Sequence, residues 1–175
     1  MSKSQLKKLL GQMSASQIAE MVLELYDARP EAKEYLDFFV SPDIDRKLLK
    51  ATAAIKKEAF RNSRGRNKSR STKIRRYIRD IASLNPGSEP VAEIMTCAVE
   101  TICAAGSDQI IKPSTQSGYA RLLADTIQFI DAAGLITQYL PRIETAIDGM
   151  HLSWWRGNEF KKLLSQRLKD SLEAL

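Results

Sequence analysis

Eleven of the chain's 27 Lys and Arg residues fall in the 24 positions from Lys56 to Arg79, where Glu58 is the sole acid. This window carries a net charge of +10, and the other 151 residues together carry −4. Arg presents a planar fork of donors that matches phosphate, and Lys a compact point charge. The chemistry such a cluster suits is the holding of a phosphate-bearing polyanion, nucleic acid included. Arg64, Arg66, Lys68 and Arg70 lie in a stretch, 62–70, that contains no apolar side chain and reads as an exposed basic loop. There they would form a clamp able to follow a phosphate backbone.

Lys73, Arg75, Arg76 and Arg79 follow at helical spacing. With Ile74 set at 0° on the helix wheel, Tyr77, Ile78 and Ile81 lie within about 60° of it, while Arg75, Arg79 and Arg76 fall at about 100°, 140° and 200°. The three arginines therefore read as a fixed rail opposite the apolar face. Ser71-Thr72-Lys73 opens this helix, where free N–H groups and the partial positive charge of a helix start add to the cations' own. An anion at that point would relieve both. Base reading has no visible apparatus: Phe60 and Tyr77 are the window's aromatics, both on apolar faces, and no nucleic-acid motif is present.

Other uses of the same cations are open. They can form a solvated face that keeps the protein in water, or meet an acidic protein partner. They can also pair internally with residues 85–111, which hold Glu89, Glu93, Glu100 and Asp108 and no Lys or Arg; Glu93 and Glu100 share a helix face.

The remaining reactive side chains point to no catalysis. His151 is the single histidine, and the nearest acids in sequence, Glu144 and Asp148, have no ligand spacing with it. Cys97 and Cys103 are six apart, about 240° around a helix, so they form no bridge there and read as small core residues. Asp43 and Asp45 form a DxD, which at a helix start complements the dipole without needing a metal. Glu31, Glu34 and Asp37 sit on adjoining turns with no histidine to join them. No GxxxxGK[ST], GxGxxG, GxSxG or HExxH occurs, so no metal, cofactor or catalytic residue is expected. Trp154 and Trp155 point about 100° apart on a helix; with Arg156 they read as a packing anchor or as a contact for a partner.

The elements that must carry these residues are all helical. Ser14 opens a capping box with Gln17, followed by Ile18, Met21, Val22, Leu25 and Tyr26 on one face. Pro30 suits a first helical position before Tyr35, Leu36, Phe38 and Phe39, and Ser41-Pro42 ends that run. A longer helix runs from Ser41 through Ile55 to Phe60. After the basic loop comes the 71–84 helix, closed by Asn85-Pro86-Gly87-Ser88, then an apolar helix over 89–105. A looser stretch from Gly106 to Thr115 precedes a helix closed by Gly134. Leu135 to Gly149 reads as helix interrupted or begun at Pro141, and a final helix carries Phe160 to Leu175.

No alternating β-branched run and no apolar run of the roughly 18 to 20 residues needed to span a membrane appears. The expectation is an all-α, single-domain protein over 1–175, an antiparallel multi-helix bundle or irregular array of about eight helices. With no secretory signal and no disulfide framework, a reducing cytoplasm is the expected home.

The opening half has further detail. Ser2-Lys3-Ser4-Gln5-Leu6-Lys7-Lys8, Leu25-Tyr26, Ala32-Lys33-Glu34-Tyr35-Leu36-Asp37-Phe38-Phe39, Pro42-Asp43 and Lys56-Lys57-Glu58-Ala59-Phe60-Arg61 resemble an uncharacterised family of small bacterial all-helical proteins, mainly over residues 2–84. The resemblance implies a bacterial, cytoplasmic, all-α protein and transfers no catalytic residue.

Overall fold

The computed structural model describes residues 2–60, 70–151 and 155–175, the side chains of 155–157 excepted. Among the described residues there are nine helices and no strand: α1 (Lys3–Leu10), α2 (Ala15–Ala28), α3 (Pro30–Val40), α4 (Ile44–Ala59), α5 (Ser71–Ser83), α6 (Ser88–Asp108), α7 (Pro113–Ala132), α8 (Ile136–Asp148) and α9 (Trp155–Glu173). The protein is all-α with multi-helix packing. Its backbone divides into two compact units, Met1–Asp43 and Ile44–Leu175.

In the first unit α1 is a helix beyond those read from apolar spacing. Its signal is short-range: Ser2 accepts from the Gln5 amide, and the Gln5 side chain returns to the Ser2 amide at 2.8 Å. Ser14 and Gln17 repeat the same reciprocal cap at α2, and such caps contribute about 1 kcal/mol each. Helices α2 and α3 form a helical hairpin in which Tyr26 donates to Asp37 Oδ1 at 2.8 Å and Lys33 Nζ lies 5.0 Å over the Tyr26 ring. No residue of α1, α2 or α3 is buried.

The second unit is built around α6. Twelve of its residues are buried, from Val91 to Gly106, because α4, α5, α7, α8 and α9 all pack against it. A helix enclosed on so many sides has to be apolar nearly all round. Ile55, Ile74, Ile94, Ile102, Leu122, Leu123, Ile127, Ile130 and Ile143 are among the fully buried side chains. Each such side chain contributes roughly 1.5–3 kcal/mol of transfer free energy.

Two stretches differ from their sequence reading. Helix α6 continues through Gly106 to Asp108. A Cβ on Gly106 would stand 2.8 Å from both Met150 Cε and the Phe160 ring, so the missing side chain is what lets α9 close on α6. Helix α8 runs unbroken through Pro141. The proline removes one bond to the Thr137 carbonyl, and both residues are exposed, so the freed acceptor is open to solvent.

Helix ends follow local chemistry. At α7, Leu135 N–H reaches the Ile130 carbonyl at 2.7 Å and Gly134 N–H the Asp131 carbonyl at 2.8 Å. This is a Schellman end, and Gly134 supplies the required φ of 70°. The turn after α5 uses Asn85 at φ 53° and Gly87 at φ 95°, residues that tolerate the left-handed region.

Candidate functional site

Helix α5 carries Lys73, Arg75, Arg76 and Arg79 of the basic window. Ile74, Ile78 and Ile81 are buried, Tyr77 is half-buried against the core, and Arg76 and Arg79 are exposed. Immediately before it, α4 ends at Ala59, whose carbonyl accepts from Gln109 Nε2 at 2.6 Å. Gln109 is fully buried, so a bond from the end of α6 anchors the point at which the basic window leaves the core.

The four rail cations have separate surroundings. Lys73 Nζ is 3.3 Å from Glu58 Oε1; Glu58 is 7% exposed, and its Oε2 has no hydrogen-bond partner. Arg75 donates to Asp125 Oδ2 on α7. Arg76 stands 3.9 Å from Asp80 one turn on, with both side chains well exposed. Among the described residues neither Arg79 nor Arg70 has an acid partner. Of the loop cations, Arg64, Arg66 and Lys68 lie outside the described residues. Trp154 lies outside them too, as do the side chains of Trp155 and Arg156.

These contacts correct the reading of Arg75 as an outward rail member. At about 100° from the apolar centre it sits at a border. Helix α5 packs against α7 as well as against α4 and α6, so that border meets Asp125. The approach is close: a Cβ on Gly118 of α7 would fall on Ser71 Oγ and 2.8 Å from Ser71 Cβ. Ser71 is half-buried there, while Thr72 and Lys73 are exposed.

Two of the acids considered for internal pairing turn to another helix. Glu93 and Glu100 serve Arg142 of α8, not the arginines of α5. Arg142 Nη1 and Nη2 reach Glu93 at 2.6 and 3.0 Å, and Nε and Nη2 reach Glu100 at 2.9 and 3.1 Å. Its guanidinium lies 5.6 Å over the Tyr139 ring. The hydrogen bonds Arg142 donates to Glu93 first and to Glu100 second hold it above its usual pKa, against an opposing effect of burial. Burial, then Glu93 and Glu89, raise the Tyr139 hydroxyl. No pattern in the sequence marks Arg142 or Asp125 as a partner, since each pair joins residues 42 to 50 positions apart. Glu58 was legible as the lone acid in the window.

Between α5, α6 and α7 lies a groove of about 420 Å³. Ile78, Met95 and Leu122 form its floor, and Thr72, Arg75, Arg79 and Asp125 line it above. It places two cations of the window beside a recess of the size small-molecule sites commonly have. A second groove, about 640 Å³, runs between α8 and α9 and is lined by Glu144, Asp148, Ser165, Lys169 and Glu173 with Ile147, Leu168 and Leu172. Among the described residues no three His, Cys, Asp or Glu side chains are grouped to hold a metal ion. His151 is exposed, and its backbone N–H donates to Ser107 Oγ at 3.1 Å.

The two thiols differ. Cys103 is buried, and that burial, followed by the charge of Glu100, pushes its pKa up to about 12. Cys97 is half-buried, with Sγ 3.8 Å from Thr52 Oγ1. Among the described residues no helix is long and apolar enough to cross a membrane.

Residues 1–167 match the Family of unknown function (DUF6155). The chain belongs to this family. The match extends well beyond the opening half that carried the resemblance. No curated protein and no solved structure matches the chain.

Proposed function

We propose that this member of the family is a non-enzymatic, cytoplasmic binding protein that holds a phosphate-bearing polyanion, nucleic acid foremost, on the Arg/Lys surface of residues 61–79. The observation that carries the reading is the exposed pair Arg76 and Arg79 on a rigid helix directly after Arg70. Arg70 and Arg79 have no acid partner among the described residues, and the Arg76–Asp80 contact at 3.9 Å is an exposed i,i+4 pair. Such a pair contributes about 0.3–0.5 kcal/mol, which a phosphate readily displaces. Arg64, Arg66 and Lys68 add charge from the stretch that precedes Arg70 in the sequence. Lys73 and Arg75 are engaged with Glu58 and Asp125 and act as supports.

The test is fluorescence anisotropy with mixed-sequence oligonucleotides over a salt series. Each phosphate contact contributes a log–log slope of roughly −0.7 to −0.9. The R70A/R76A/R79A variant should lose at least tenfold in affinity and lower the slope by about two to three. Absence of binding at low salt, or a variant that binds like the parent, overturns the reading.

A second reading is a protein-interaction module, favoured by the first unit. Leu23, Phe39 and Val40 are 63%, 75% and 83% exposed. Phe39 and Val40 are adjacent in the chain, and contiguous apolar surface left in water marks interaction sites.

A further inference from the structure

The groove over Ile78, Met95 and Leu122 has a composition that a phosphate-only site does not need. We infer that it receives one unstacked base of a single-stranded nucleic acid whose backbone runs along Arg70, Arg76 and Arg79. This inference rests on the polyanion reading and names the form of the ligand.

Three features combine. First, the cations with no partner or only a weak one, Arg70, Arg76 and Arg79, are exposed, while the apolar floor lies beneath, each floor residue being less than a tenth exposed. A phosphate gains nothing from an apolar floor, whereas the face of a base does. Second, Asp125 lines the recess. A carboxylate repels phosphate, so the charged part of the ligand stays outside, on Arg79 and its neighbours. Asp125 Oδ2 accepts from Arg75, and Oδ1 has no partner among the described residues. A base bearing an amino group can donate to it, as cytosine N4 does to carboxylates. Third, Arg75 donates to Asp125 and lines the groove, so a planar guanidinium stands beside the recess. Bases of single strands stack on such planes. A duplex keeps its bases stacked inside and cannot send one into the groove without the cost of extruding it.

The experiment uses the full chain and fluorescein-labelled 20-mers at one moderate salt concentration. Oligo-dC, oligo-dT and a duplex of the same length are compared by anisotropy. The single strands are expected to bind at least tenfold tighter than the duplex, and oligo-dC tighter than oligo-dT. Thr72→Trp places a large side chain at the open rim of the groove and should abolish the preference for single strands while leaving duplex binding in place. Asp125→Asn keeps a hydrogen-bonding group beside Arg75 and should remove the preference for oligo-dC. A duplex that binds as tightly as the single strands, or a Thr72→Trp protein that is folded by circular dichroism and retains the preference, overturns the groove inference and leaves the polyanion reading standing. No binding of any of the three probes overturns both.

Discussion

Arg142 on α8 holds Glu93 on α6 through two hydrogen bonds of 2.6 and 3.0 Å. Two of the acids that stood ready in sequence to neutralise α5, Glu93 and Glu100, are thereby committed to α8. One guanidinium joined to two carboxylates a short way apart on α6 ties α8 to the central helix, and the arginines of α5 find other partners or none.

Arg142→Met should cost about 1–2 kcal/mol in urea unfolding, because it removes four charge-assisted bonds and leaves Glu93 and Glu100 facing each other. The groups are about one-third to two-fifths exposed, so solvent screening keeps the loss modest. Adding E93Q and E100Q to the Met variant should recover part of the stability. A triple variant less stable than R142M would show that repulsion between the carboxylates contributes nothing.

The rail divides into structural and free members. Arg75→Ala should lower stability by about 0.5–1.5 kcal/mol through loss of the Asp125 contact. R76A and R79A should each stay within about 0.5 kcal/mol of the parent. Thermal unfolding of the three single variants separates them, and equal behaviour would contradict the assignment of Arg75 as a support.

Gly118→Ala should destabilise despite the better helix propensity of alanine. Propensity favours the change by about 1 kcal/mol, but the new Cβ meets Ser71 Cβ at 2.8 Å, and overpacking costs about 1–3 kcal/mol. Ser71→Gly removes the obstacle. A double-mutant cycle of S71G with G118A should therefore give a favourable coupling, and strict additivity would place α5 farther from α7 than it lies here.

The Cys103 thiol gives an alkaline signature. Its pKa is raised in the fold from the ordinary 9.0 to about 12. The unfolded chain therefore loses this proton first. The thiol's contribution to stability is fully present below pH 9 and is lost as pH rises from about 9 to about 12. Denaturant midpoints measured along that range should fall, and Cys103→Ala, less stable at neutral pH for its small cavity, should show a flatter decline. In the native state at pH 8 Cys103 should resist iodoacetamide.

On the first unit, F39S/V40S should leave unfolding within about 0.5 kcal/mol of the parent, since both side chains are largely in water. If the protein-interaction reading holds, the same pair should abolish any self-association seen by sedimentation at high concentration. An unchanged sedimentation profile in an associating protein would place the contact elsewhere.

The sequence by itself determined the helices from α2 onward and several of their ends. Ser14 with Gln17, Pro30, Asn85 to Gly87 and Gly134 act through neighbours within a few residues, so their effects are written locally. The apolar stripe of α5 was equally legible, because Ile74, Ile78 and Ile81 recur at the helical period. Tertiary structure alone decided which cations meet acids on other helices. Arg75 faces Asp125, Lys73 faces Glu58 and Arg142 faces Glu93 because α5 packs on α7 and α4, and α8 on α6. Helical periodicity says which side of a helix a residue occupies and is silent about which helix comes to stand there. The same holds for the groove: its floor takes Ile78, Met95 and Leu122 from three helices, and only their packing brings an apolar recess beneath the arginines.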